Sequence, residues 1–244
     1  MLRLWVANAV ILISLGSCLP PKREPVSTLP VESSLFESAE ISAEQRGEVL
    51  DYFKEVAFGS EFGELIEGIA RWETDVKIFV SGQYPTYLDT ELAKIIDEIN
   101  SLSRSIQLSR TLSRQEANYL IHFGTAEEYA EIEPQARPYI EENWGLLWVY
   151  WNAENEIYQG SMYVDMERTQ DDRAVQKHLL REELTQSLGL INDSYTYPES
   201  IFYQDWTRTT EYAEIDKRLI DILYSDAIEP RMTKQEVEAV FTAK

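Results

Sequence analysis

Histidine and cysteine are nearly absent from these 244 residues, which hold two histidines, His122 and His178, and one cysteine, Cys18. A single thiol excludes an intramolecular disulfide and any cysteine-rich metal cluster. Two imidazoles are a poor supply for a catalyst built on histidine ligands or a histidine base. Glycine is sparse as well, at ten residues, and neither a glycine-rich phosphate loop nor a G-x-S-x-G elbow occurs. Basic side chains are outnumbered, 22 Lys and Arg against 43 Asp and Glu, for a formal net charge of −21. A surface that acidic repels polyanions, which excludes nucleic acid and anionic lipid as direct partners. Long apolar runs are missing too: the longest, Leu4 to Leu15, is shorter than the ~20 residues a membrane-crossing helix needs. Aromatic residues, by contrast, make up 11% of the chain, enough that the acidity does not signal disorder.

The N-terminus reads as a targeting segment over residues 1–17, with one basic residue, Arg3, then the apolar run, then Gly16 and Ser17. Leu15-Gly16-Ser17-Cys18 resembles the lipobox of bacterial lipoproteins, and that resemblance implies cleavage before Cys18 and acylation of its thiol and new amino group. More than one acyl chain at a single terminus gives durable anchoring. The expected partner is therefore a membrane, reached through the lipid. Leu19, in place of an aspartate, is similar to the outer-membrane sorting signal of Gram-negative lipoproteins, so the expected location is the cell envelope, at the outer membrane and facing the periplasm.

Residues 18–40 hold four prolines between Leu19 and Ser34 and no hydrophobic period, the composition of a tether. From 41 to 69 a helical extension is expected: Val49, Phe53 and Val56 lie at helical spacing, Ser42 is a plausible cap and Gly59 a stop. The main domain is placed at 70–233, with a tail at 234–244. Within it, alternation predicts strands at 76–82, 105–109, 117–124, 145–152 and 156–166, the last two forming an aromatic-dense hairpin. Helical periodicity predicts helices at 86–103, 171–189 and 211–225, with Asp171 or Asp172 starting the second and Gly189 ending it. The order suggests a mixed sheet with helices packed on one side, an α+β architecture.

The stretch with chemistry is HLLREELTQSLGLINDS, residues 178–194. Two zinc ligands one helical turn apart, with a general base beside the first, define the H-E-x-x-H peptidases, and the metzincins extend this to H-E-x-x-H-x-x-G-x-x-H. The present chain reads Glu182-Glu183-x-x-Gln186-x-x-Gly189-x-x-Asn192. Downstream, Phe202-Tyr203 stands where the Met-turn methionine and tyrosine would be, and the run ILYS closes a last helix. On these residues the domain resembles the C-terminal half of matrixin-type metzincins, which implies a zincin-like fold of a mixed sheet, two main helices and a C-terminal helix. It also implies Glu183 as general base, with Tyr203 beside it. More closely, the chain resembles an uncharacterised bacterial domain-of-unknown-function family, number twenty-nine twenty-seven. The features that carry this are E-E-x-x-Q, L-G-L-x-N-D-S, Trp72 before the first strand, and the ending from Leu223 to Thr233.

All three histidine positions of the register are changed, to Glu182, Gln186 and Asn192. A carboxylate and two amide oxygens form a hard donor set that suits calcium, magnesium or manganese better than zinc. A displaced set is conceivable, since His178 and Glu182 are one turn apart and Asp193 could close it. The bland alternative is an amphipathic core helix, in which Leu179, Leu180, Leu184, Leu188 and Leu190 form the stripe and the charges fill the other face. His122 reads as a partly buried strand residue. The aromatics Trp144, Trp148, Tyr150 and Trp151 read as cross-strand and core pairs ahead of a sugar-stacking platform. Adjacent Glu182 and Glu183 splay ~100° apart on a helix, which excludes a glycosidase pair.

The expectation is thus an envelope lipoprotein whose degenerate metzincin-like domain is a non-proteolytic binding or scaffolding module. Its cleft would be lined by Glu182, Glu183, Gln186, Asn192, Asp193 and Tyr203 and would hold a peptide, a cation or a partner protein, with no required cofactor. The enzymatic alternative is a metal-dependent hydrolase with Glu183 as base and zinc or another divalent cation on Glu182, His178 and Asp193 or Gln186. A purely structural lipoprotein is the third option.

Overall fold

The computed structural model describes residues 41–59 and 67–242. The expected signal segment, Cys18 and the expected tether at 18–40 lie outside the described residues. Among those described, no helix is long and apolar enough to cross a membrane.

The chain opens with helix α1 (Ala43–Ala57), started by a reciprocal capping box between Ser42 and Gln45. Its stripe buries Tyr52, Phe53 and Val56 completely or nearly so, and it packs on a late helix, α6 (Glu214–Leu223). The segment expected as an N-terminal extension therefore supplies part of the core.

Among the described residues six strands form one mixed sheet. A two-residue strand, β1 (Arg71–Trp72), precedes β2 (Val76–Gly82), helix α2 (Thr86–Leu102), β3 (Leu108–Arg110) and β4 (Tyr119–Gly124). After helix α3 (Ala126–Ile132) and a 3-10 turn at Pro134–Ala136 come β5 (Gly145–Trp151) and β6 (Glu156–Asp165). The order across the sheet is β3, β2, β4, β6, with β1 joining β6 at its start. These pairings are parallel, whereas β5 runs antiparallel to β6 on its other side. Parallel strands covered on both faces read as continuous apolar runs, and β4, YLIHFG, is buried along five of its six residues.

The larger core lies on the face carrying α2, α5 (Arg173–Gln186) and α6, where Ile78, Ile121 and Met162 meet Leu180, Leu184 and Leu188. The opposite face is covered by α3 and the 3-10 turn over a smaller cluster of Tyr129, Ala136, Leu146 and Tyr163. Helices thus cover both faces and not the one side expected from the sequence; α3, at seven residues, is too short to show a helical period. Its capping box, Thr125 with Glu128, was present in the sequence as the local signal. A short helix, α4 (Met166–Thr169), leads into α5, and α7 (Lys234–Thr242) occupies the expected tail, with Val237 fully buried.

The site helix α5 is gripped at both ends. Asp172 caps its start by accepting from the Val175 amide. At its end the Trp72 indole donates to the Ser187 carbonyl (2.9 Å) and the Tyr224 hydroxyl to the Leu188 carbonyl (2.8 Å). These bonds satisfy carbonyls that a helix C-terminus otherwise leaves without partners. Gly189 then turns the chain at φ +119°, where a Cβ would lie 2.0 Å from the Ala70 carbonyl oxygen. Glycine is required there by both the dihedral and the space.

Candidate functional site

A cleft of about 1070 Å³ runs along β5. Its floor is α5, contributing His178, Leu179, Glu182, Glu183 and Gln186. Its roof is the segment after α3, with Tyr139 and Glu142, and its far wall is the loop that supplies Ile191, Asp193, Tyr203, Asp205 and Trp206. A volume of that size is ample for a drug-sized ligand or several residues of an extended chain.

Strand β5 is the edge of the sheet, and no second strand pairs with it among the described residues. Antiparallel ladders alternate, so only every second residue of β5 bonds to β6. The Asp165 amide bonds to the Trp144 carbonyl across the Trp144/Asp165 register. Continuing that alternation, Leu146, Trp148 and Tyr150 pair with β6. The backbone groups of Gly145, Leu147 and Val149 are directed away from it, toward the cleft.

Gly145 has a second role. A Cβ at this position would sit 2.7 Å from Glu183 Oε1 and 3.0 Å from a Leu179 methyl. Glycine therefore lets the Glu183 side chain lie directly against the start of the edge strand. The only sequence-level trace of this is a glycine opening an otherwise aromatic strand, a mark of close approach.

The other side chains singled out from sequence divide into two groups. His178 is buried, with Nδ1 2.8 Å from the Thr209 carbonyl oxygen and Nε2 3.2 Å from Glu182. Burial opposes its protonation. The Glu182 carboxylate, the Thr209 carbonyl and the more distant Asp193 charge outweigh burial and hold its pKa above the ordinary imidazole value. One turn on, Gln186 Nε2 donates to Asp193 Oδ1 at 2.7 Å. Glu183 and Tyr203 also line the cleft. Asn192 does not join them: its side-chain amide donates to the carbonyls of Phe58 (2.6 Å) and Glu55 (3.3 Å), closing the end of α1. Phe202, expected from the resemblance to stand where a Met-turn methionine would be, is fully buried, and a parallel bridge ties Ser194 to Tyr203.

This donor set does not fit zinc. Asn192 faces α1, both His178 nitrogens face protein oxygens, and Gln186 offers a weak amide that already bonds Asp193. Among the described residues, no group of three His, Cys, Asp or Glu side chains is arranged to hold a metal.

Aromatic residues form much of the remaining lining. Trp144 and Trp206 meet edge-to-face at 5.2 Å across one end of the cleft, 38% and 58% exposed. Trp148 stacks on Tyr139 at 6.1 Å, on the roof side. Tyr150 donates to Glu133 at 2.8 Å, and burial together with that carboxylate pushes its pKa to about 12. It acts as a hydrogen-bonding group and not as a base at neutral pH. Trp206 and Asp205 carried no signal in the sequence, because the loop that holds them has no periodicity.

The family described as "Protein of unknown function (DUF2927)" matches residues 46–243 of the chain. No curated protein matches it. The match begins within α1 and ends beyond α7, so it takes in two helices that each contribute to the core.

Proposed function

The chain belongs to that family, and we propose that it is a binding module. An extended polypeptide would lie as an added strand along β5, held in a cleft of zincin-like descent and not cleaved there. The observation that carries the reading is the edge strand. Its outward backbone groups border a cleft whose would-be metal positions are engaged with protein instead. Strand addition to an exposed sheet edge supplies affinity through main-chain hydrogen bonds, with alternate side chains read by the floor.

The zincin-like part of the proposal is supported by the order of strand, helix and further strands before α5, by Gly189 ending that helix, and by Tyr203 returning to the cleft. Glu183 retains the position of a general base. Without a Lewis acid to acidify water, a carboxylate alone is a poor activator for amide hydrolysis. The reading also keeps the envelope location and lipid anchor expected from residues 1–18, where tethering would hold the module beside its partner.

The test uses a library of blocked random nonapeptides incubated with the protein, with and without added zinc, followed by mass spectrometry of bound and free fractions. Peptides should be retained intact. Leu147→Pro removes an outward-directed amide and leaves the β6 ladder bonds in place, so retention should fall by about tenfold while the fold persists. Chelator-sensitive cleavage that disappears in Glu183→Gln would instead establish the metal-dependent hydrolase. Equal retention by Leu147→Pro would sink strand addition.

A further inference from the structure

The charge lining the cleft specifies what kind of polypeptide it takes. Five carboxylates border it: Glu142 on the roof, Glu182 and Glu183 on the floor, Asp193 and Asp205 on the far wall. Among the described residues no lysine or arginine lines the cleft, and the single described lining side chain able to carry positive charge, His178, is already paired with Glu182. Low-dielectric walls of one sign focus the field inside a cleft. An acidic segment entering this one would be repelled from every wall, and a neutral one would gain nothing from the charge.

The sheet fixes where a guest's charge would point. Because a Cβ on Gly145 would meet Glu183 and Leu179, the side chains of Gly145, Leu147 and Val149 face α5. A strand laid beside β5 shares its pleat, so every second guest side chain is directed to the same floor. Within reach of that floor are Glu182 and, through its bond from Gln186 on the same helical face, Asp193. The exposed faces of Trp144 and Trp206 at the cleft end add the π-surface that a guanidinium or ammonium group favours.

We infer that the occupant is an extended segment carrying a lysine or arginine, with this cationic side chain directed onto the floor between Glu182 and Asp193. The inference rests on the polypeptide-binding reading above and deepens it.

Fluorescence polarisation on the wild-type protein would compare three blocked nonapeptides of alternating valine and threonine, whose central residue is arginine, its neutral isostere citrulline, or glutamate. The arginine peptide should bind about tenfold tighter than the citrulline peptide, as expected of charge-assisted contacts in a partly desolvated site, with the glutamate peptide weakest. In the double variant Glu182→Gln/Asp193→Asn the arginine peptide should lose its advantage over the citrulline peptide, and a persisting tenfold preference would overturn the assignment to these two carboxylates. Equal binding of all three peptides by the wild type would overturn the charge assignment and leave the polypeptide cleft standing. Binding of none would overturn both.

Discussion

At the scale of single residues, the clearest assignments are those in which one side chain has one geometry open to it. Gly189 and Gly145 are of this kind, the first forced by a left-handed turn against Ala70, the second by the approach of Glu183. Asp216 is another. It is fully buried and accepts from Ser200 Oγ (2.6 Å) and from the amides of Ala213 (2.8 Å) and Ile201 (3.3 Å), while Tyr52 donates to Ser200 in turn (2.9 Å). Burial outweighs these bonds and raises its pKa to about 6. An acid whose folded value is raised binds its proton more tightly in the native state. Its contribution is present below the unfolded value near 4 and is lost as pH rises through about 6. A difference of that size is roughly 2–3 kcal/mol. Urea denaturation from pH 4 to pH 7 should show this loss in the wild type and a flatter profile in Asp216→Asn; identical profiles would reject the assignment.

At the scale of elements, α5 is held by its two ends and by one buried charge on its rear. Arg181 is 0% exposed, bonded to Glu91 (3.0 Å) and Glu98 on α2, and it lies 4.3 Å over the Tyr212 ring. Lys177 adds a second cation on Glu91 at 2.8 Å. Burial opposes ionisation of Glu91, but these two cations overcome it and leave its pKa below the usual carboxylate value. The pair positions the site helix against α2, so that Glu182 and Glu183 face the cleft and not the core. Glu91→Gln should destabilise the protein by about 3–5 kcal/mol, the cost of a buried cation deprived of its partner. Chemical denaturation measures this directly, and a loss below ~1 kcal/mol would mean that Glu98 and Tyr212 suffice for Arg181.

At the scale of the whole molecule, the formal charge of −21 works against compaction. Most of the ion pairs are at least partly solvated, and exposed pairs contribute little. Raising the salt from about 10 mM to about 150 mM shortens the screening length from about 30 Å to about 8 Å. The urea midpoint should rise over that range, because self-repulsion is screened more than favourable pairs are lost. A falling midpoint would show that ion pairing dominates. On the binding reading proposed above, the five carboxylates of the cleft would serve selection of a guest in place of stability.

Interactions between near neighbours in the chain set the individual elements. The apolar stripes of α1, α2, α5 and α6, the alternation of β2 and β5, the Ser42 cap and the Gly189 stop all act between residues a few positions apart. They were therefore legible without the fold. Glu182, Glu183, Gln186 and Tyr203 were singled out by resemblance to a family motif and not by local periodicity, and all four line the cleft. Tertiary structure alone decided the rest: that Asn192 turns away to close α1, that Gly145 and Glu183 share one space, and that Asp205 and Trp206 complete the cleft. These placements depend on contacts between segments up to more than a hundred residues apart, as in the Asn192 bond to Phe58. The aperiodic loop from 190 to 213 carries no local pattern to announce them. Its side-chain directions are set by what packs beneath it, and that information exists only once the chain has folded.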